Sequence, residues 1–132
     1  MATIDITEAT FPETIEENDI VFVDFWADWC GPCKQFAPVY DAVSQKHEDI
    51  TFAKVDTEAE QGLAAAAGIT SIPTLMAFRE KVLVFSQPGA LNASQFSELV
   101  EAVKGLDMKA VHEQIAAQEN GQAAAGSDGQ VN

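Results

Sequence analysis

The sequence is poor in cysteine, in cations and in long apolar runs. It has only two cysteines, Cys30 and Cys33, which excludes a scaffold stapled by several disulfides. Lys and Arg number 7 against 21 Asp and Glu, and no cation precedes Lys34. The net charge of −14 argues against nucleic acid, whose phosphates need Lys and Arg, and against anionic membrane surfaces. The acids read as a solvated surface. No apolar stretch is long enough to span a bilayer. Residues 1–20 lack a basic start followed by an apolar run; they carry Asp5, Glu8, Glu13, Glu16, Glu17 and Asp19 instead. No targeting signal is visible, so the expected location is the cytoplasm. In that compartment an isolated CxxC points to redox chemistry or metal binding more than to a structural staple.

The chain has 132 residues, of which 47% are hydrophobic, with eight Phe and two Trp. It can build one domain with a real core. Within it, Trp29-Cys30-Gly31-Pro32-Cys33-Lys34 concentrates the chemistry. The spacing places both sulfurs on the first turn of a helix, close enough to bridge. Unpaired N–H groups and the positive end of the helix dipole favour a thiolate there. This lowers the pKa of a thiol that is otherwise about 8.5. Pro32 suits a helix start, where its missing N–H costs nothing, and Gly31 leaves room for another chain to approach. A thiolate beside a second thiol can attack a disulfide and then be displaced by its neighbour.

Ile4 and Ile6 alternate with polar residues over Thr3–Thr7, a short half-buried strand. Residues 8–18 read as a short acidic helix with Phe11 and Ile15 on one face. Ile20–Trp26 is a nearly continuous apolar run, expected as a central strand covered on both faces. Asp24 is its anomaly: a carboxylate there should be partly buried, which raises its pKa, unless it sits near a strand end that reaches water. The CxxC helix is expected over 31–47, with Phe36, Tyr40 and Val43 inward and Pro38 bending it. His47 is expected to complement its dipole. Ile50–Asp56 reads as a further strand on which Lys54 shares the parity of Ile50 and Phe52. The residue is then either inward-facing or a lysine that snorkels to water. Thr57–Glu60 fits a capping box before an Ala-rich helix ending at Gly68. Leu75–Phe78 and Val82–Phe85 suggest a hairpin joined at Arg79–Lys81. Asn92 and Gln95 fit another capping box, before a helix whose apolar face is Phe96, Leu99, Val100 and Val103. Residues 105–119 suggest an extra short helix with Asp107 as a cap and His112 exposed. Residues 120–132 have almost no apolar bulk and read as a disordered polar tail.

The Trp-Cys-Gly-Pro-Cys-Lys string, the preceding Asp24-Phe25-Trp26-Ala27 and the later Ile72-Pro73-Thr74 together resemble the thioredoxin family over residues 1–104. A lowered thiol pKa is a general property of such sites, thioredoxin among them. The resemblance implies an α/β thioredoxin fold, a central mixed β-sheet of about five strands flanked by about four helices. It implies a protein disulfide reductase that serves cell redox homeostasis. Its clients would be disulfide-containing proteins, and an NADPH-dependent thioredoxin reductase would restore it. Cys30 would be the nucleophile and Cys33 the resolving thiol. Asp24 would accept or donate the proton, with Lys54 tuning it, while Gly31 and Pro32 tune the redox and thiol properties. Trp29, Ile72, a cis Pro73, Gly89 and Ala90 would form the docking surface. No cofactor beyond the redox-active disulfide is expected, and the working expectation is a monomer.

Other readings are weaker. A structural zinc site needs four ligands, and neither His47 nor His112 has suitable spacing. A structural disulfide closing so short a loop would constrain the unfolded chain little. A thioredoxin fold used only as a binding module stays open, as does an oxidase or isomerase, although Gly-Pro between the cysteines resembles the reductants.

Overall fold

The computed structural model describes the backbone of residues 2–126 and the side chains of residues 2–119. Along the chain run β1 (Thr3–Asp5), α1 (Phe11–Glu17), β2 (Ile20–Trp26), α2 (Gly31–Ser44) and β3 (Thr51–Asp56). There follow α3 (Gln61–Ala66), β4 (Thr74–Arg79), β5 (Val82–Pro88), α4 (Ala93–Lys104) and α5 (Met108–Gly126). The strands form one mixed sheet in the order β1-β3-β2-β4-β5. β1, β3 and β2 are parallel, and β4 and β5 join antiparallel. The expected architecture is present, with α5 as the additional helix.

β2 is apolar at every position but Asp24 because both faces of the sheet are covered. On one face Phe22 and Phe52 meet Phe36 and Tyr40 of α2 and Phe96, Val100 and Val103 of α4. The Phe96 ring lies 5.4–6.1 Å from those of Phe22, Phe36, Tyr40 and Phe52, within the range of favourable aromatic pairs. On the other face Val21, Val23 and Phe25 pack with Ala53, Val55 and Met76 beneath Ile15 and Leu63. Alternation along β2 therefore puts Asp24, like Phe22, on the α2 side.

Several boundaries differ from the sequence expectations. The helix expected over 8–18 is shorter, because Thr7 and Thr10 exchange side-chain and backbone hydrogen bonds in a turn before Phe11. α2 ends at Ser44, so His47 lies beyond it and faces Glu101 at 4.0 Å instead of completing its last turn. The capping box at Thr57–Glu60 does not form. The Thr57 hydroxyl donates to the Trp26 carbonyl, Asp56 accepts the amides of Glu58 and Ala59, and Glu60 accepts the Glu8 amide. Trp26 and Glu8, distant in sequence, take the side chains the local motif needs, and α3 starts only at Gln61. The Asn92–Gln95 box does form, with both reciprocal bonds present. Asp107 accepts the Ala110 amide at the start of α5. α5 continues past residue 119 to Gly126, through the helix-favouring Ala123–Ala125. The remainder of the expected tail, residues 127–132, lies outside the described residues.

Only Glu80 and Lys81 join β4 to β5, at φ 50° and 70°. A two-residue hairpin with positive φ at both positions is the type I′ turn, normally met by Asn-Gly. Neighbours hold this glycine-free turn. The Glu80 amide donates to the Asp19 carbonyl at 2.8 Å, and the Glu80 carboxylate meets His112 Nε2 at 2.8 Å. Arg79 Nη1 donates to the carbonyls of Val103, Lys104 and Leu106, so it closes the C-terminal end of α4.

Candidate active site

The site lies at the C-terminal end of β2, where open α/β sheets build their sites. The chain leaves Trp26, passes Ala27–Trp29 and enters α2 with Cys30 as N-cap and Pro32 in the first turn. Cys30 Sγ accepts the Cys33 amide at 3.2 Å, which satisfies one of the free N–H groups of the helix start. The two sulfurs are bonded to each other. Both cysteines are buried at 3% exposure, whereas Gly31 and Pro32 are exposed and Trp29 is 69% exposed.

Two loops approach the disulfide. The Ile72–Pro73 peptide bond is cis, and the Ile72 carbonyl oxygen lies 3.7 Å from Cys30 Sγ. Ile72 packs against Ala27, Cys30 and Cys33. Beyond β5, Gly89 and Ala90 are exposed, and the Gly89 amide reaches the Pro73 carbonyl. A groove of about 410 Å3 between Trp29 and Ile72 is bordered by Thr57, Ile69 and Ser71. Trp29 Nε1 donates to Glu58 Oε2 at 3.3 Å, fixing the indole at its edge.

Beneath the disulfide, Asp24 is 1% exposed, and neither carboxylate oxygen has a hydrogen-bond partner. It shares a cavity of about 110 Å3 with Cys33, Trp26, Lys34 and Lys54. Burial pushes its pKa from 3.8 up to about 7, and the Lys54 ammonium partly offsets that rise. Lys54 pairs in register with Asp24 across β2 and β3. Its ammonium lies over the Trp26 ring, 5.3 Å from the centroid. Tyr40, also buried, donates its hydroxyl to the Ala53 carbonyl at 2.8 Å. Its phenol is held well above the ordinary range by burial and then by the charge of Asp24, with that hydrogen bond opposing. Among the described residues, no group of three or more His, Cys, Asp and Glu could hold a metal ion. Among the same residues, no helix is long and apolar enough to cross a membrane.

The fold thus places Asp24 and Lys54 below Cys30 and Cys33 and Trp29, Ile72 and Pro73 beside them, with Gly89 bonded to Pro73 and Ala90 following it. Sequence reasoning missed Glu58 and Trp26. Glu58 lay inside the misread capping box, and its contact with Trp29 spans 29 residues. Trp26 shares the parity of Asp24 on β2, a signal that was available.

The Thioredoxin family model matches residues 2–102. A putative thioredoxin 2 from Streptomyces coelicolor is 48% identical over 118 residues, 89% of this chain and 88% of that protein. A match of that length runs past Lys104 into α5. Thioredoxin 1 of Synechococcus elongatus is 44% identical over 88 residues, 65% of this chain and 82% of its own. Among solved structures, Plasmodium falciparum thioredoxin superposes with a TM-score of 0.70 at 36% identity, covering 76% of this chain and 97% of the other.

Proposed function

This chain belongs to the thioredoxin family of thiol–disulfide oxidoreductases, and on that premise we propose that it reduces disulfides in client proteins and is itself restored by a thioredoxin reductase. The observation that carries this reading is the placement of the Cys30–Cys33 disulfide at a helix N-terminus, over a buried carboxyl of raised pKa.

In the reduced protein the Cys30 thiolate, stabilised by the start of α2, attacks one sulfur of the client disulfide. That bond breaks, a Cys30–client disulfide forms, and the first client sulfur leaves as a thiolate. Cys33 gives its proton to Asp24, directly or through water in the shared cavity, and attacks Cys30 Sγ. The second client sulfur leaves, and two electrons have passed from the Cys30–Cys33 pair to the client. Lys54 limits how far burial raises Asp24, while Gly31 and Pro32 set the turn that tunes the thiols.

Client backbone docks against Ile72 and Pro73 in the groove beside Trp29, where an extended segment can add to free backbone groups. Gly89 and Ala90 present no bulk that would obstruct it. Residues 1–104 form the redox unit and 105–132 an appendage to it. No nucleotide or flavin fingerprint occurs in the chain, which fits an external, NADPH-dependent reductase. We place the protein in the cytoplasm as a monomer that maintains redox homeostasis.

Insulin reduction driven by dithiothreitol tests the chemistry, and NADPH with a thioredoxin reductase tests the partner. The chain should turn over in both assays. If the Cys30→Ser/Cys33→Ser double variant still supported the cellular role, the protein would be a binding module and not a carrier.

A further inference from the structure

Trp26 has no part in the exchange steps above, yet it lines the cavity in which the proton moves. It lies two residues beyond Asp24 on β2, so both side chains project to the α2 side of the sheet. Register places Lys54 directly opposite Asp24, but the two charges do not join. The Asp24 oxygens have no hydrogen-bond partner, and the Lys54 ammonium lies over the indole. The Trp26 Nε1–H is itself buried without an acceptor. The indole is therefore not held by a hydrogen bond, and what it offers this site is its ring face.

We propose that Trp26 is a positioning residue for the proton step: its ring face holds the Lys54 ammonium away from Asp24, which keeps that carboxyl free to exchange a proton with Cys33. The inference rests on the proton role proposed for Asp24. A cation over an aromatic face is attracted by the ring quadrupole, more strongly as the pair is desolvated, and Lys54 is half-buried. An ammonium in direct contact with a buried carboxylate would hold it ionised, whereas a more distant one only moderates the effect of burial. The separation therefore leaves Asp24 able to be either acid or base near neutrality.

Other charged or titratable groups face the same region. Asp28 comes from the loop before α2, and Lys34 and Cys33 come from α2. Asp5 on β1 pairs in register with Lys54 from the opposite side. Tyr40 is occupied by the Ala53 carbonyl, and β4 presents only the apolar Leu75 opposite Asp24. Of the cations in this region, Lys54 is the one placed over the indole, so the Trp26 ring is the feature that distinguishes the position Lys54 takes from one beside Asp24.

The test is the titration of the Asp24 carboxyl, read by carbon NMR in the oxidised full-length chain. Trp26→Phe keeps a ring face and should titrate like the parent. Trp26→Leu releases the ammonium, and its midpoint should fall by about one pH unit. Trp26→Met, which also lacks a ring face, gives a second reading of the same comparison. Lys54→Met and the double variant Trp26→Leu/Lys54→Met should titrate together, above the parent. An unchanged or raised midpoint in both Trp26→Leu and Trp26→Met overturns the proposal. So does the same downward shift persisting in the Lys54→Met background, or a Trp26→Phe midpoint as low as that of Trp26→Leu. The readout involves no client, so its outcome is independent of whether the chain reduces protein disulfides.

Discussion

The Gly89 amide donates to the Pro73 carbonyl at 2.7 Å, so the loop that follows β5 is fastened to the residue that precedes β4. The two loops flanking the disulfide are therefore tied to each other. Gly89 holds φ +109°, and an added Cβ would meet no atom within 4 Å. Gly89→Ala is expected to suffer from backbone strain and not from crowding, losing about 1–2 kcal/mol in urea unfolding. Client turnover should fall with it as the loop shifts. A variant as stable as the parent would show that this φ is not required.

The buried carboxyl predicts a pH-dependent stability. The folded pKa of Asp24, about 7, lies above the unfolded 3.8, so the folded state binds the proton more tightly. The stability this confers is complete below the unfolded value and is lost as the pH climbs through 7. Its full range is on the order of 4 kcal/mol. Asp24→Asn lacks this titration, so it should gain on the parent between pH 4 and pH 8 in denaturant melts. Identical pH profiles for the two proteins would remove the buried charge from the account.

The same variant addresses the chemistry. At pH 7 it should slow resolution of a mixed disulfide by roughly tenfold to 100-fold, measured in single-turnover mixing. An unchanged rate would take Asp24 out of the mechanism.

Cys33→Ser separates the two thiols. With Cys30 attacking first, this variant should accumulate a stable mixed disulfide with a client, visible by mass, while Cys30→Ser should not. Trapping through Cys33 in the Cys30→Ser variant would reverse the assigned order.

Arg79 gives a prediction remote from the chemistry. Its guanidinium is mostly buried and donates to the carbonyls at the end of α4. Arg79→Leu should cost about 2 kcal/mol of stability and leave the rate of insulin reduction per folded molecule unchanged. A fall in that rate would connect the α4 end to the site.

What was legible in the sequence was local chemistry with a strong period. The apolar run of β2, the stripe Phe36, Tyr40 and Val43, and the Asn92–Gln95 cap are written in neighbouring residues, and the structure has them all. What failed was competition from afar. Thr57 and Glu60 fit a local motif, but Trp26 and Glu8 claimed their side chains across 31 and 52 residues, and no local pattern reports such partners. In the same way Lys54 could be assigned a face from its parity, but not its place over Trp26. Arg79 read only as part of a hairpin join. Arg79 instead serves a helix end that arrives 24 residues later.

The glycine-free hairpin turn has a consequence for where this domain can be cut. Glu80 and Lys81 sit in a region that side chains avoid, and two of the contacts there come from beyond Lys104: His112 on Glu80 and the Leu106 carbonyl on Arg79. A chain shortened to the residues the family model matches would keep the strained turn and lose both. The residues beyond Lys104 thus belong to the energetics of the hairpin, and truncation at residue 104 would remove two of the contacts that hold its turn.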